Sequence, residues 1–366
     1  MKDKEYLQLI ELIKISLNLH TDYHLLKDAN YEKLYKLSKK QGLSNLTYYG
    51  INKINPPINK ELYTKWENDC INAIVYDVYH QEAYKQIKKQ FNKKQIEYMM
   101  LKGIILKKLY PSTDMRTMGD IDILIHPHQR QQVKEIMNSL DYTTLVYKKN
   151  NEDIYEKNPD ITIEIHTELF EKKSIYYHSY KNIWNNLDKY SNSTEYKFNL
   201  DDFYIFIITH FAKHYFHAGS GIRNIIDIYL FRKKYLKKLN KTYIETKLKE
   251  INLLQFEQDI LSLIDVWFNN KKHNEATKEM QQYIFESGIK GKQENIYYNQ
   301  IKKYKTKTNY IIHRIFLPLP EMKNHYPILN KIIILLPILY TYRILISILK
   351  KPQLILKELK NIIKIK

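Results

Sequence analysis

MGDIDILIHP, residues 118–127, decides how the middle of this chain folds. Ile121, Ile123 and Ile125 alternate with Asp120, Asp122 and Leu124, which is the two-residue period of a strand with one apolar face. Residues two apart in a strand leave from the same face, roughly 6–7 Å apart along the chain. Asp120 and Asp122 therefore project together, opposite the isoleucines. DITIEIH, residues 160–166, repeats the pattern. Its Ile161, Ile163 and Ile165 share one face, and Thr162, Glu164 and His166 share the other. If the two strands are neighbours, their isoleucines enter one core and three carboxylates meet on the opposite side.

Three carboxylates that close repel one another, and each tends to hold a proton unless a cation neutralises the group. Hard oxygen donors without cysteine select Mg2+ over zinc, with Mn2+ as the alternative. Ions held in this way can clamp a displacement at phosphorus, one beside the attacking oxygen and one beside a leaving pyrophosphate. The plainer reading is two edge-strand aspartates facing water and an unrelated glutamate, because a lone D-x-D is short and common. His166 shares the Glu164 face and either orients a carboxylate or caps the sheet.

Working upstream, IEYMMLKG at 96–103 is an apolar run closed by glycine, which suits a buried strand entering a turn. IILKKLY then resumes helical spacing until Pro111. A helix opening at Gly103 would offer free backbone N–H groups and no side chain, a setting in which phosphate can approach closely. Lys102 and Arg116 add positive charge nearby, with Arg116 divided between a triphosphate contact and a structural salt bridge. Met118 and Gly119 form the turn into the strand. Working downstream, HQRQQVKEIMNSL reads as a helix, and YTTLVYKK and EDIYEK as hairpin strands. Residues 96–175 are thus a compact β-rich core.

Helical periodicity fills the rest. Residues 1–95 form a helical N-terminal region broken at Asn55-Pro56-Pro57, and 176–300 a second helical region. DDFYIFIITHFAKHYFHAG reads as one helix ending at Gly219. It carries His210, Lys213, His214 and His217 at i, i+3, i+4 and i+7, all on one face. That face either lines a nucleotide cleft, with Lys213 on phosphate, or holds structural histidines. Zinc is a third reading, but HFAKH lacks the glutamate of a metalloprotease helix and Lys213 would repel the metal. Arg223 and Asp227, four apart, are expected to pair with each other.

The formal net charge is +19, with 14 Lys/Arg against 2 Glu from Ile301 to Lys366. Such a surplus favours polyanionic partners without choosing between nucleic acid, an anionic polymer and a membrane surface. Residues 301–366 are a basic, apolar helical segment. In IIILLPILYTYRILISIL, residues 332–349, Pro337 and Arg343 interrupt the apolar run, so a span competes with a hairpin packed on the body and with shallow attachment to an anionic leaflet. The single cysteine, Cys70, excludes an internal disulfide framework and a multi-cysteine zinc site. The start, MKDKEYLQLIELIK, reads as an amphipathic helix, and the expected location is cytoplasmic, with peripheral membrane contact through the C-terminal segment.

The run LKG, then R-x-M-G-D-I-D-I-L, then I-E-I-H resembles the nucleotidyltransferases that share the DNA polymerase beta catalytic fold, and more narrowly a bacterial family of uncharacterised nucleotidyltransferases. His210, Lys213 and His214 followed by Asp227 match that family's H-x-x-K-H helix and later aspartate, and FLPLPEM and LLPILYTYR resemble its proline-rich, basic finish. The resemblance implies an α+β, bilobed fold: a small mixed β-sheet nucleotidyltransferase core embedded in a mainly helical chain, with 176–300 covering nucleotide and acceptor. It implies Asp120, Asp122 and Glu164 as catalytic metal carboxylates, and Lys102, Gly103, Arg116, Gly119, His210, Lys213 and His214 around the nucleotide. The superfamily has a small residue after the phosphate-turn glycine where this chain has Ile104, and Lys102 stands before it. The implied reaction moves an NMP from a nucleoside triphosphate such as ATP to a hydroxyl on a small molecule, a peptide or protein, or a tRNA, releasing pyrophosphate. A kinase using the same carboxylates and a non-catalytic RNA- or membrane-binding helical protein are the alternatives.

Overall fold

The computed structural model describes residues 2–21 and 23–364. Its chain divides into two compact units, Met1–Ala212 with Gly221–Ile289 and Lys213–Ser220 with Lys290–Lys366.

The first unit opens with helices α1 (Lys2–Ser16), α2 (Tyr31–Gln41), α3 (Ser44–Ile54) and α4 (Lys60–Lys93). Asparagines start two of them: Asn30 accepts from the Lys33 N–H, and Asn59 from the Leu62 N–H at 2.8 Å, each satisfying a donor that the first turn leaves open. The break at Asn55-Pro56-Pro57 is real, since Asn55 ends α3 in the left-handed conformation with φ 43°. With 34 residues, α4 is about 50 Å long at the usual rise. Its buried face, Leu62, Trp66, Cys70, Ala73, Asp77, His80, Ala83, Ile87 and Phe91, repeats at three and four. The first half packs on α3, where Trp66 Nε1 donates to Thr47 Oγ1 at 3.0 Å. The second half covers the sheet, with Ile87 and Phe91 in the same core as Tyr98, Ile123 and Ile163.

The sheet has seven strands: β1 (Tyr98–Met100), β2 (Asp120–Ile125), β3 (Thr143–Lys149), β4 (Glu152–Lys157), β5 (Ile161–His166), β6 (Asp188–Lys189) and β7 (Glu195–Lys197), in the order β3-β4-β5-β2-β1-β7-β6. It is mixed. The β2–β5 and β1–β7 pairs are parallel, and the other neighbours antiparallel. Burial along β5 alternates residue by residue, as the period-two pattern requires. Ile121, Ile123, Ile125, Ile161, Ile163 and Ile165 enter one core under α4 and α6 (Arg130–Ser139, after α5, Gly103–Leu106). Burying each such side chain is worth about 1.5–3 kcal/mol. The fold is the expected α+β arrangement, a small mixed sheet in a mainly helical chain.

IILKKLY is helical as expected, one α-helical turn, α5, running into a 3-10 turn at Lys107–Leu109, with Ile104 and Leu106 buried and Lys107 turned inward to Asp77. One local expectation is corrected. The region read as wholly helical after residue 175 contributes β6 and β7, and β7 pairs with β1. Helices α7 (Tyr177–Tyr180), α8 (Leu200–Tyr215), α9 (Arg223–Tyr235), α10 (Lys241–Glu250), α11 (Leu254–Phe268) and α12 (Glu275–Ser287) follow. The cap of α8 is Asn199, whose Oδ1 accepts from the Asp202 N–H, and the helix stops at Tyr215, short of Gly219.

The second unit takes the last turn of α8 and helices α13 (Gln293–Tyr304), α14 (Lys307–Ile315), α15 (Leu319–His325), α16 (Leu336–Lys350) and α17 (Pro352–Lys364). Two small apolar clusters hold it, one around Tyr297, Tyr310 and Ile362, the other around Leu317, Met322 and Leu329. Ile333–Lys350, with mean hydropathy 1.8, is long and apolar enough to cross a membrane by length and composition, and none of it is buried.

Candidate active site

Because β2 and β5 run parallel in direct contact, their register places the carboxylates. Asp122 stands opposite Glu164 and Asp120 opposite Thr162. The end of β1 is held to the same place, since the Leu101 N–H donates to the Asp122 carbonyl at 3.0 Å. Asp122 Oδ1 lies 3.2 Å from Lys102 Nζ and 2.9 Å from His166 Nε2. His166 Nε2 is also 3.6 Å from Glu164 Oε2, and its Nδ1 is 3.9 Å from Glu152 Oε1. One donor atom from each of Asp122, Glu164 and His166 lies within 4.8 Å of the others.

The electrostatics follow from this crowding. Burial works against ionising Asp122, but the Lys102 ammonium, and then His166, outweigh it and hold the carboxyl well below the ordinary range. Asp120 is raised, by burial first and then by the Asp122 charge. Glu164 is pushed up to about 8 by burial, then by Asp120 and Asp122. Crowded by Asp120 and Asp122, Glu164 thus keeps its proton at neutral pH, and a cation bound among these carboxylates would displace it. A divalent cation is the species that such a donor set accepts. Asp122 and Glu164 could hold it through oxygen together with His166 through nitrogen, and Asp120 leaves the same strand face. That set fits Mg2+ or Mn2+, and the single imidazole is also acceptable to Mn2+.

A family model described as uncharacterised nucleotidyltransferase matches residues 27–269. The chain belongs to that family. No curated protein and no solved structure matches it. The match takes in the whole carboxylate site of this nucleotidyltransferase and ends before α13–α17. The likeness read into FLPLPEM and LLPILYTYR is therefore not part of it.

The remaining expected residues fall as follows. Lys102 precedes α5 with φ 31°, a strained backbone for a non-glycine residue, and its ammonium turns onto Asp122. A Cβ at Gly103 would meet Met118 Sδ at 2.6 Å and Arg116 Nη1 at 3.1 Å, both outer atoms of long side chains. Gly119 has open space where its Cβ would stand. Arg116 is buried and paired in two-point fashion with Asp227, Nε to Oδ1 and Nη2 to Oδ2, both 2.8 Å. Asp227 also accepts from Tyr110 Oη at 2.9 Å.

The expected Arg223–Asp227 pair is thus replaced by a long-range one. Arg223 Nη1 donates to the Thr117 carbonyl at 2.7 Å, and its Nε is buried without a partner. The two guanidiniums hold Arg116 and Thr117, in the segment that leads into β2. His210 belongs to the same unit as the carboxylates and packs near Phe206, ring centroids 6.1 Å apart. Lys213 and His214 are exposed residues of the second unit. Among the described residues, the carboxylate site is the only metal-competent group of three, and the α8 histidines form none.

Glu152 was not expected. It lies opposite His166 across the β4–β5 pair and adds a fourth carboxylate. The signal was present in EDIYEK, where Glu152, Ile154 and Glu156 share a strand face. A cavity of 770 Å3 lies apart from this cluster, lined by Met100 and Ile104 of the core and by Tyr84 and Lys88 of α4.

Proposed function

We propose that the protein transfers an NMP from a nucleoside triphosphate, ATP among the candidates, to a hydroxyl acceptor with release of pyrophosphate, as an enzyme of the DNA polymerase beta-like superfamily working in the cytoplasm. The observation that carries this reading is the parallel register of Asp122 against Glu164, with Asp120 on the same strand face and Lys102 beside them. Mg2+ or Mn2+, held by Asp120, Asp122 and Glu164, would supply charge neutralisation for the triphosphate and make the acceptor hydroxyl more acidic. With a cation bound Glu164 would be ionised, and its carboxylate takes the proton of the acceptor hydroxyl as the hydroxyl oxygen bonds to the α-phosphorus and the bond from that phosphorus to pyrophosphate breaks. His166 fixes the orientation of Asp122 through its 2.9 Å contact. Lys102 passes from Asp122 to the triphosphate, and the segment Arg116–Gly119 borders the phosphates, with Gly119 leaving room for close approach.

The acceptor is a small molecule, a peptide or protein side chain, or a tRNA end. Incubation of the protein and Mg2+ with α- or γ-labelled triphosphates, offered to metabolite, protein and RNA fractions, tests the reading. Transfer of α-label alone into one fraction is the expected result, and the fraction names the acceptor class. Transfer of γ-label would make the protein a kinase. Labelling that survives Asp122→Asn would take the chemistry away from this site.

A further inference from the structure

The second unit carries a surface that nucleotidyl transfer does not use. The 3-10 turn Ile333–Leu335 and α16 place Ile334, Ile338, Tyr342, Leu345 and Leu349 at steps of four, four, three and four, which is one helical stripe. Every one is more than half exposed, Ile334 at 81% and Leu349 at 78%. On α17, Leu356, Leu359 and Ile363 form a second exposed stripe at i, i+3 and i+7.

The inward sides are occupied. Glu358 Oε1 accepts from Tyr310 Oη at 2.9 Å and from Arg314 Nε at 3.1 Å, and Ile362 is buried against Tyr297 and Tyr310. Arg343 donates to the Ile315 and Arg314 carbonyls, at 2.8 and 3.0 Å, which caps α14 and ties α16 to it. Contiguous apolar surface on the outside of helices already fixed on their inside marks a contact surface.

The charge around it chooses the partner. Lys331, Lys350, Lys351, Lys357 and Lys360 are exposed, and among the described residues none of them is ion-paired. Apolar stripes flanked by uncompensated lysines suit an interface that is hydrocarbon inside and anionic at its rim. A second copy would bring the same positive charge. Nucleic acid would leave the isoleucines and leucines in water.

We infer that α16 and α17 lie in the plane of an anionic phospholipid leaflet, their stripes at the acyl boundary and the lysines on headgroup phosphates. The helices do not cross the bilayer, because Arg343 sits within the apolar stretch and is bound to α14 carbonyls. This membrane contact stands independently of the transfer reaction.

Flotation of the full chain with vesicles, without nucleotide or metal, tests it. Binding is expected to vesicles containing phosphatidylglycerol, to be much weaker to phosphatidylcholine alone, and to be released by high salt or alkaline carbonate. Leu345→Asp with Leu349→Asp alters only exposed positions and should weaken flotation by about tenfold or more, while the variant keeps the wild-type circular dichroism and thermal melt. Equal binding to neutral vesicles overturns the inference. So does retention after carbonate, which would mean a span. Dimerisation that the same substitutions abolish, without flotation of the wild type, would assign the face to a second copy instead.

Discussion

Lys102 Nζ lies 3.2 Å from Asp122 Oδ1, the same oxygen that His166 Nε2 approaches at 2.9 Å. The ammonium thus neutralises the carboxylate that a divalent ion would also need. The lysine is placed there by a strained turn at φ 31°, between β1 and α5.

Removal of that ammonium should separate metal binding from nucleotide binding. Lys102→Met leaves the carboxylates without their nearest competing cation, so Mg2+ measured calorimetrically in the absence of nucleotide should bind about tenfold more tightly. Triphosphate affinity should fall, because a phosphate contact is lost. Weaker binding of both ligands would show that Lys102 serves mainly to hold the turn.

Glu164 links the site to pH. An unfolded glutamate loses its proton near pH 4.3, whereas the folded one keeps it up to about 8. Across that window the folded chain binds the extra proton, so this group's contribution to stability falls as pH rises. Glu164→Gln mimics the protonated form and lacks this dependence. In chelator, urea unfolding should show the variant gaining on the wild type as pH climbs through the window. Mg2+ requires the ionised form, so wild-type affinity should strengthen up to about pH 8, with proton release visible as a buffer-dependent binding enthalpy. Transfer activity of the variant should drop at least about a hundredfold.

Asp227 is shared by Arg116 and Tyr110, with Arg223 close by, and burial followed by the Arg116 charge lowers Arg223 to about 10. Asp227→Ala leaves the buried Arg116 guanidinium without its counter-charge and should cost about 3–5 kcal/mol in denaturant unfolding. Arg116→Met combined with Asp227→Leu should recover much of the loss. If the double variant is merely the sum of its parts, the two side chains do not act as a pair.

Gly103→Ala requires the flexible Met118 side chain to move off the new methyl and should cost about 1 kcal/mol at most. Met118→Ala in the same chain opens the space the new methyl needs. Recovery in the double variant, followed by thermal melts, would locate the clash at that contact. Persistent loss would point to the backbone of the turn.

The strands carrying Asp120, Asp122 and Glu164 could be read from sequence because isoleucine recurs at every second position; burial alternates with that period along β5, whereas β2 is buried on both faces from Ile121 onward. Pairing of β2 with β5 was an added assumption, and the register supplied it. Strands β6 and β7 gave no such signal: two and three residues are too short to show a period, and β7 exists because β1 offers it a ladder. The i, i+4 spacing of Arg223 and Asp227 suggested a local pair, yet the nearer charge in space comes from Arg116, 111 positions earlier. Gly103 was read as a phosphate-turn glycine, and its neighbour Met118, which arrives from the following turn, gave no signal in the sequence.

The most direct measurement is anomalous diffraction from crystals grown with Mn2+ and a non-hydrolysable nucleoside triphosphate. A peak should lie about 2.2 Å from carboxylate oxygens of both Asp122 and Glu164, with the triphosphate on its open side and Lys102 Nζ withdrawn from Asp122. Manganese located elsewhere, or a bound triphosphate with no ion between these two strands, would contradict the account.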